Sequence, residues 1–224
     1  MRTALQTAAS SIFGIALLVA SLFLPAGTFD YWQAWVFLAV FALTTIAPSV
    51  VLAVRYPDAL ARRTKAGPMA ESRPAQRIII SLTVVLVFAT FVLSALDHRF
   101  GWSHVPVWLV VVGNILVGVG LGIAQLVIVQ NNYAGATITV ESGQPLVSTG
   151  LYGFVRHPMY FGTVVMMVGT PLALDSLWGL LGVLAAVPVL AARILDEEKM
   201  LNDELAGYPE YVQQVRHRLI PGLW

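Results

Sequence analysis

Pro106-Val-Trp-Leu-Val-Val-Val-Gly-Asn-Ile-Leu-Val-Gly-Val-Gly-Leu-Gly-Ile-Ala-Gln-Leu-Val-Ile-Val129 contains no Asp, Glu, Lys or Arg. A helix needs ~20 apolar residues to cross the hydrocarbon of a bilayer, and this run exceeds that. Backbone surrounded by lipid has to satisfy its own hydrogen bonds, so the run reads as a membrane helix. Gly118, Gly120 and Gly122 lie within it. A nucleotide-binding glycine fingerprint needs a strand before it and a helix after it. Inside one apolar run, small residues instead allow close helix–helix approach, and packing is the reading they support.

Similar runs occur on both sides, at residues 11–24, 31–54, 78–96, 158–174 and 176–195. Pro171 and Asp175-Ser176 interrupt the last stretch, so 158–195 reads as a helical hairpin. The expected fold is an all-α integral membrane protein with about five to six transmembrane helices, including that C-terminal hairpin. It forms a single membrane domain over residues 1–224, with N-terminal helices in 1–129 and a chemically distinct region in 130–224. Composition agrees: 58% of residues are hydrophobic and 11% charged, against roughly 25% charged in soluble domains. A net charge of +1 gives no case for nucleic acid. The absence of cysteine excludes disulfides, thiolate metal ligands and a cysteine nucleophile. Residues 11–24 also have the length of a signal-peptide core. The preceding n-region is only Met1-Arg2, and no Ala-x-Ala site comes before Asp30, so retention is expected.

The loop over residues 55–77 holds Arg55, Arg62, Arg63, Lys65, Arg73 and Arg77, whereas the linkers near Asp30 and Asp175 have no Lys or Arg. With six crossings, twelve of the 13 Lys and Arg fall on the side of that loop and only Arg99 on the other. The positive-inside rule then places the N-terminus, residues 130–157 and the C-terminus in the cytoplasm. The basic loop reads as a topology signal, with attraction to lipid headgroups as the alternative.

After Val129 the sequence becomes polar. Thr137 to Val140 can form a short strand or an extended loop, followed by a turn at Ser142-Gly-Gln-Pro145. Such a segment has to leave the lipid or line a watery cavity. It ends in Arg156-His157-Pro158-Met-Tyr160-Phe-Gly162. Proline suits the first position of a helix and disfavours helical geometry before it, which puts His157 at the cap. The free N–H groups there could hold an anion such as a carboxylate, flanked by Arg156 and His157 with Tyr160 one turn inside. The alternative is a helix end anchored to headgroups. A second cluster contains Arg193, Asp196, Glu197, Glu198 and Lys199. The spacing of Arg193 and Glu197 allows an ion pair on one helix face. Three successive carboxylates exceed what one arginine balances, leaving charge for a cationic ligand. Arg216, near the C-terminus, reads as a membrane-surface anchor.

Three blocks occur in order: Gly150-Leu151-Tyr152-Gly-Phe-Val-Arg156-His157-Pro-Met-Tyr160-Phe-Gly162, then Glu197-Glu198-x-x-Leu201, then Tyr208-x-x-Tyr211 with Arg218-Leu-Ile-Pro221. Together, over about residues 130–224, they resemble the isoprenylcysteine carboxyl methyltransferase family and the wider grouping that includes the phospholipid methyltransferases. The resemblance implies methyl transfer from S-adenosylmethionine at the cytoplasmic membrane face. It implies cofactor contacts from His157, Tyr160 and the backbone around Leu146, Gly150, Leu151 and Tyr152. Glu197 and Glu198 would serve the cofactor's ammonium or ribose hydroxyls. Arg156 and Arg218 would orient an anionic substrate group, and Glu198 or His157 would take a proton from an amine acceptor. No metal is implied. The implied partners are membrane lipids and a lipophilic acceptor: a prenylcysteine-type carboxylate, a phospholipid amine, a small thiol or an isoprenoid acid.

Two alternatives stand beside this reading. A sterol-type membrane reductase would hold NADPH, whose phosphates call for a basic pocket rather than an acidic run. A transporter would show an inverted repeat and a site near the midplane, and neither half of this chain repeats the other.

Overall fold

The computed structural model describes the backbone of residues 2–64 and 66–224, with side chains from Phe13 onward except that of Lys65. Met1 and Lys65, the latter counted in the charge asymmetry, lie outside the described residues, as do the side chains of Arg2, also counted there, and of residues 11 and 12 in the first apolar run.

The chain is helical throughout: α1 (Arg2–Ala26), α2 (Trp32–Arg55), α3 (Pro57–Thr64), α4 (Pro74–Phe100), α5 (Val107–Gln130), α6 (Pro158–Ala173), α7 (Gly179–Glu204) and α8 (Tyr208–Gln214), with 3₁₀ turns at Pro68–Ala70 and Gly150–Gly153. No strand occurs among the described residues, so the Thr137–Val140 segment takes the extended-loop option. Among the described residues, four helices, α2, α4, α5 and α7, are long and apolar enough to cross a membrane. The apolar part of α1 (Phe13–Ala26) and α6 are shorter. Local sequence sets the boundaries. Pro74 and Pro158 open their helices, where a missing N–H is harmless, and Gly101 closes α4 in the left-handed region at φ 62°.

Helix α6 lies along α5, and glycines set the approach. A β-carbon on Gly162 would come 2.6 Å from the Gly120 carbonyl oxygen, and one on Gly169 would come 2.6 Å from that of Gly113. Both pairs repeat at seven residues, so antiparallel α5 and α6 meet twice through bare backbone. Gly120 therefore packs as its setting predicted. Gly118 only brushes Thr44 and Val40, and Gly122 has nothing within 4 Å. Helix α7 packs on α4, with Gly179 and Gly182 against Ser94 and Thr90. The expected hairpin is thus a tight turn at residues 174–178 between helices that take different partners, α5 for α6 and α4 for α7.

That turn belongs to one end of the bundle. Fully buried Asp97 accepts hydrogen bonds from Ser103 N (2.7 Å), Ser103 Oγ (2.6 Å) and Ser176 Oγ (2.6 Å). Asp175, held at φ 58°, accepts from Val105 N (2.6 Å) and Gln33 Nε2 (2.9 Å). Trp32, Trp35, Trp102, Trp108 and Trp178 are exposed on or beside these segments, as in the aromatic belt of a membrane interface. Residues 131–157, α3, α8 and the C-terminal segment gather at the other end.

Candidate active site

The backbone at Arg156 and His157 is sewn to the C-terminal segment. Arg156 N donates to His217 O (3.0 Å) and His157 N to Arg218 O (2.9 Å). These bonds place both side chains beside α7. Glu198, 6% exposed, receives Arg156 Nε at 2.7 Å and Arg218 Nε at 2.7 Å, with His157 Nε2 at 3.2 Å. Arg156 also donates to the carbonyls of Val215 (2.8 Å) and Arg216 (2.9 Å). One carboxylate therefore joins the start of α6, the end of α7 and the C-terminal segment, and those cations make its burial tolerable.

The other two acids of the run point elsewhere, since successive helical residues diverge by about 100°. Asp196 pairs with Arg73 at 2.6 Å and accepts from the Gln76 amide. Glu197 accepts the Tyr160 hydroxyl at 2.6 Å. The ion pair that spacing suggested between Arg193 and Glu197 is not direct. Arg193 Nε donates to Tyr160 Oη at 2.9 Å, and its Nη1 donates to Glu71 at 3.1 Å and Gln76 at 2.8 Å. Among the described residues, Glu197 is the one acid of the three with no cation in ion-pair range.

Glu197 lines a cavity that takes in about 840 Å³, counted with its open mouth. Its walls come from the loop 131–147, the start of α6, the polar end of α7, and α8. Of the residues singled out in the sequence, Leu146, Tyr152, Arg156, His157, Tyr160 and Glu197 line it. Glu198 and Arg218 stand behind the wall. Gly150 and Leu151 are also off it, braced by Gln130 at the end of α5, whose Oε1 accepts the Leu151 N–H at 3.1 Å. At φ 61°, a β-carbon on Gly150 would come 2.8 Å from that oxygen, so glycine is needed there.

Asn131 carried no signal in the sequence reading, and Tyr208 and Tyr211 of the third block were given no role there. Asn131 donates to Tyr152 Oη at 3.1 Å, and Tyr211 Oη donates to the Tyr152 carbonyl at 2.7 Å. Tyr208 is 3% exposed, and its hydroxyl has no hydrogen-bond partner among the described residues. Burial pushes the Tyr152 phenol up to about 12 despite the Asn131 hydrogen bond, and burial also raises Tyr208 and Tyr211. All three are neutral hydrogen-bonding groups near pH 7.

The basic loop contributes directly. Arg62 pairs with Glu141 at 2.6 Å, Arg63 donates to Gly135 O at 3.0 Å, and Arg77 donates to Glu71 O at 2.8 Å. With Arg73 on Asp196, three of its arginines tie the N-terminal half to the loop 131–147 and to α7, beyond what a topology signal accounts for, while Arg77 braces the basic loop itself. Glu71 is one of only two acids in that loop, the other being Asp58, which is the signal that marks it. No group of three or more His, Cys, Asp or Glu suited to a metal occurs among the described residues.

An apolar helical bundle with an arginine-braced polar cavity at one end defines an integral membrane protein with an open polar site. Residues 108–206, just under half of the chain, match the family model for phospholipid methyltransferase. This segment, holding α6, α7 and the polar loop between α5 and α6, is similar to that family, the wider grouping to which the motifs pointed. The chain is also 33% identical over 88 residues, 38% of its length, to the delta(14)-sterol reductase of Mus musculus. It spans about a fifth of that protein (21%). The solved structure of the eukaryotic intramembrane Ras methyltransferase, an isoprenylcysteine carboxyl methyltransferase, is similar over 96% of this chain and 86% of that one. At 18% identity and a TM-score of 0.46, that likeness carries no argument.

Proposed function

We propose that the chain transfers a methyl group from S-adenosylmethionine to a lipophilic acceptor such as a prenylcysteine-type carboxylate. The observation that carries this reading is Glu197: an acid on the wall of an open cavity, held by a neutral hydroxyl while both its neighbours are matched by arginines. An ammonium group on a ligand would complete it. The unpartnered Tyr208 hydroxyl on the same wall offers a further polar contact, so the residues fit a cationic, multiply hydrogen-bonding cofactor.

When bound, that cofactor supplies a sulfonium methyl that leaves by in-line displacement. The chain's part is to position the reactants and exclude water. His157, Tyr160, Glu197 and the loop around Leu146–Tyr152 would hold the cofactor, with Gly150 and Leu151 shaping that loop from behind. Arg218, its side chain about one-third exposed, is the better placed of the two arginines to orient an anionic acceptor. Arg156, tied to Glu198 and two carbonyls, would act mainly by holding the cluster. A carboxylate acceptor is ionised near neutral pH and needs no base. For an amine, His157 on the cavity wall, with Glu198 behind it, would take the proton. The cavity end faces the cytoplasm in this reading, supported by the concentration of arginine there and by Arg99 at the opposite end, on the Pro25 carbonyl.

Similarity to a sterol reductase favours a second reading, with a nicotinamide cofactor. Its phosphates would need cations, whereas Arg73, Arg156 and Arg193 are already engaged by carboxylates. Calorimetry on detergent-purified protein with S-adenosylmethionine and NADPH separates the two. Saturable binding of S-adenosylmethionine, weakened in Glu197→Ala and His157→Ala, is expected. Binding of NADPH instead, or of neither by folded protein, overturns the methyltransferase reading.

A further inference from the structure

Glu71 lies outside every motif of the site and outside the matched segment 108–206, yet it is only 2% exposed. A carboxylate this buried is costly unless matched. Its Oε1 accepts from Arg193 Nη1 at 3.1 Å and its Oε2 from the Ile138 N–H at 3.3 Å. Arg193 in turn donates through Nη2 to the Ala136 carbonyl (3.0 Å) and through Nε to Tyr160 Oη (2.9 Å). A guanidinium only donates, so the Tyr160 oxygen accepts from Arg193 and its single proton goes to Glu197. The 2.6 Å separation of Tyr160 Oη from Glu197 Oε2 suits such a charge-assisted bond. A chain of hydrogen bonds, donated outward from Arg193 in both directions, therefore links the 55–77 loop to the cavity: Glu71, Arg193, Tyr160, Glu197.

The charges along it matter as much as the bonds. Glu71 and Arg193 cancel, which leaves the charge of Glu197 to the cavity. Without Glu71, a buried guanidinium one hydroxyl away would draw on Glu197 and oppose any cation beside it. Arg63, on the Gly135 carbonyl, adds a second positive charge nearby and makes Glu71 the more necessary. We infer that Glu71 is a positioning residue: it neutralises Arg193 from behind, and through Tyr160 it keeps Glu197 available to a cationic ligand. Only the ligand half of this inference rests on the methyltransferase reading.

The test uses the full chain in detergent, as wild type, Glu71→Gln, Glu197→Gln and the double variant, with Glu71→Asp as the conservative change. In thermal unfolding each single variant leaves Arg193 one carboxylate, while the double leaves none. The melting temperature of the double should therefore drop by more than the two single drops combined. In calorimetry, Glu71→Gln should weaken S-adenosylmethionine on the order of tenfold. It should weaken S-adenosylhomocysteine less, since that molecule lacks the sulfonium charge, and Glu71→Asp should recover part of the loss. Simple structural damage would weaken both ligands alike. Additive melting shifts, or an unchanged preference between the two ligands, overturns the inference. If wild type binds neither ligand, the methyltransferase reading fails, and the melting comparison alone decides whether Glu71 and Glu197 share Arg193.

Discussion

At one end of the bundle, buried Asp97 is surrounded by neutral donors: two serine hydroxyls and two backbone amides. At the other, Glu198 is ringed by two arginines and a histidine. The first arrangement closes a turn among segments that already meet, and no cation is involved. The second fastens three segments far apart in sequence, with the acid on α7 and arginines from the other two. Because arginines satisfy Glu198 on one side and Asp196 on the other, Glu197 between them is left to a cavity. The difference separates a buried acid that finishes a fold from a set of acids that builds a site.

If that distinction holds, the largest loss of stability follows removal of the hub. Glu198→Ala leaves Arg156 buried without its carboxylate and should destabilise the protein by about 3–5 kcal/mol, read as a fall in melting temperature or loss of monodisperse material. Asp97→Asn keeps shape and some hydrogen bonding and should cost about 1–3 kcal/mol, while leaving ligand affinity at the distant cavity unchanged within error. A change in affinity there would break the separation of the two ends. Arg62→Ala removes an exposed pair with Glu141 and should cost less than ~1 kcal/mol, with a melting shift close to the error of measurement.

The sequence displayed what depends on local pattern. The uncharged run 106–129 became α5, and Pro158 opened α6 with His157 at its cap. The two motif blocks did converge on one cavity, though Gly150, Leu151, Glu198 and Arg218 serve it from behind its wall. Long-range pairings were hidden. Spacing offered Glu197 as the partner of Arg193, but the ion pair forms with Glu71, 122 residues away in sequence. No periodicity in a single chain specifies such a contact. The basic loop was read by its charge alone, because the carbonyls and carboxylates that receive its arginines lie on the irregular loop 131–147 and on α7. The hairpin was legible as a break at Pro171 and Asp175, while the divergence of α6 and α7 depends on the glycine faces of α5 and α7.

The most direct test compares the two ends in one experiment: S-adenosylmethionine affinity and melting temperature for Glu197→Gln and Asp97→Asn beside wild type. The account predicts that Glu197→Gln loses at least tenfold in affinity, a difference of about 1.4 kcal/mol or more, with little change in melting, and that Asp97→Asn shows the reverse. Glu197→Gln binding the cofactor as tightly as wild type would contradict it.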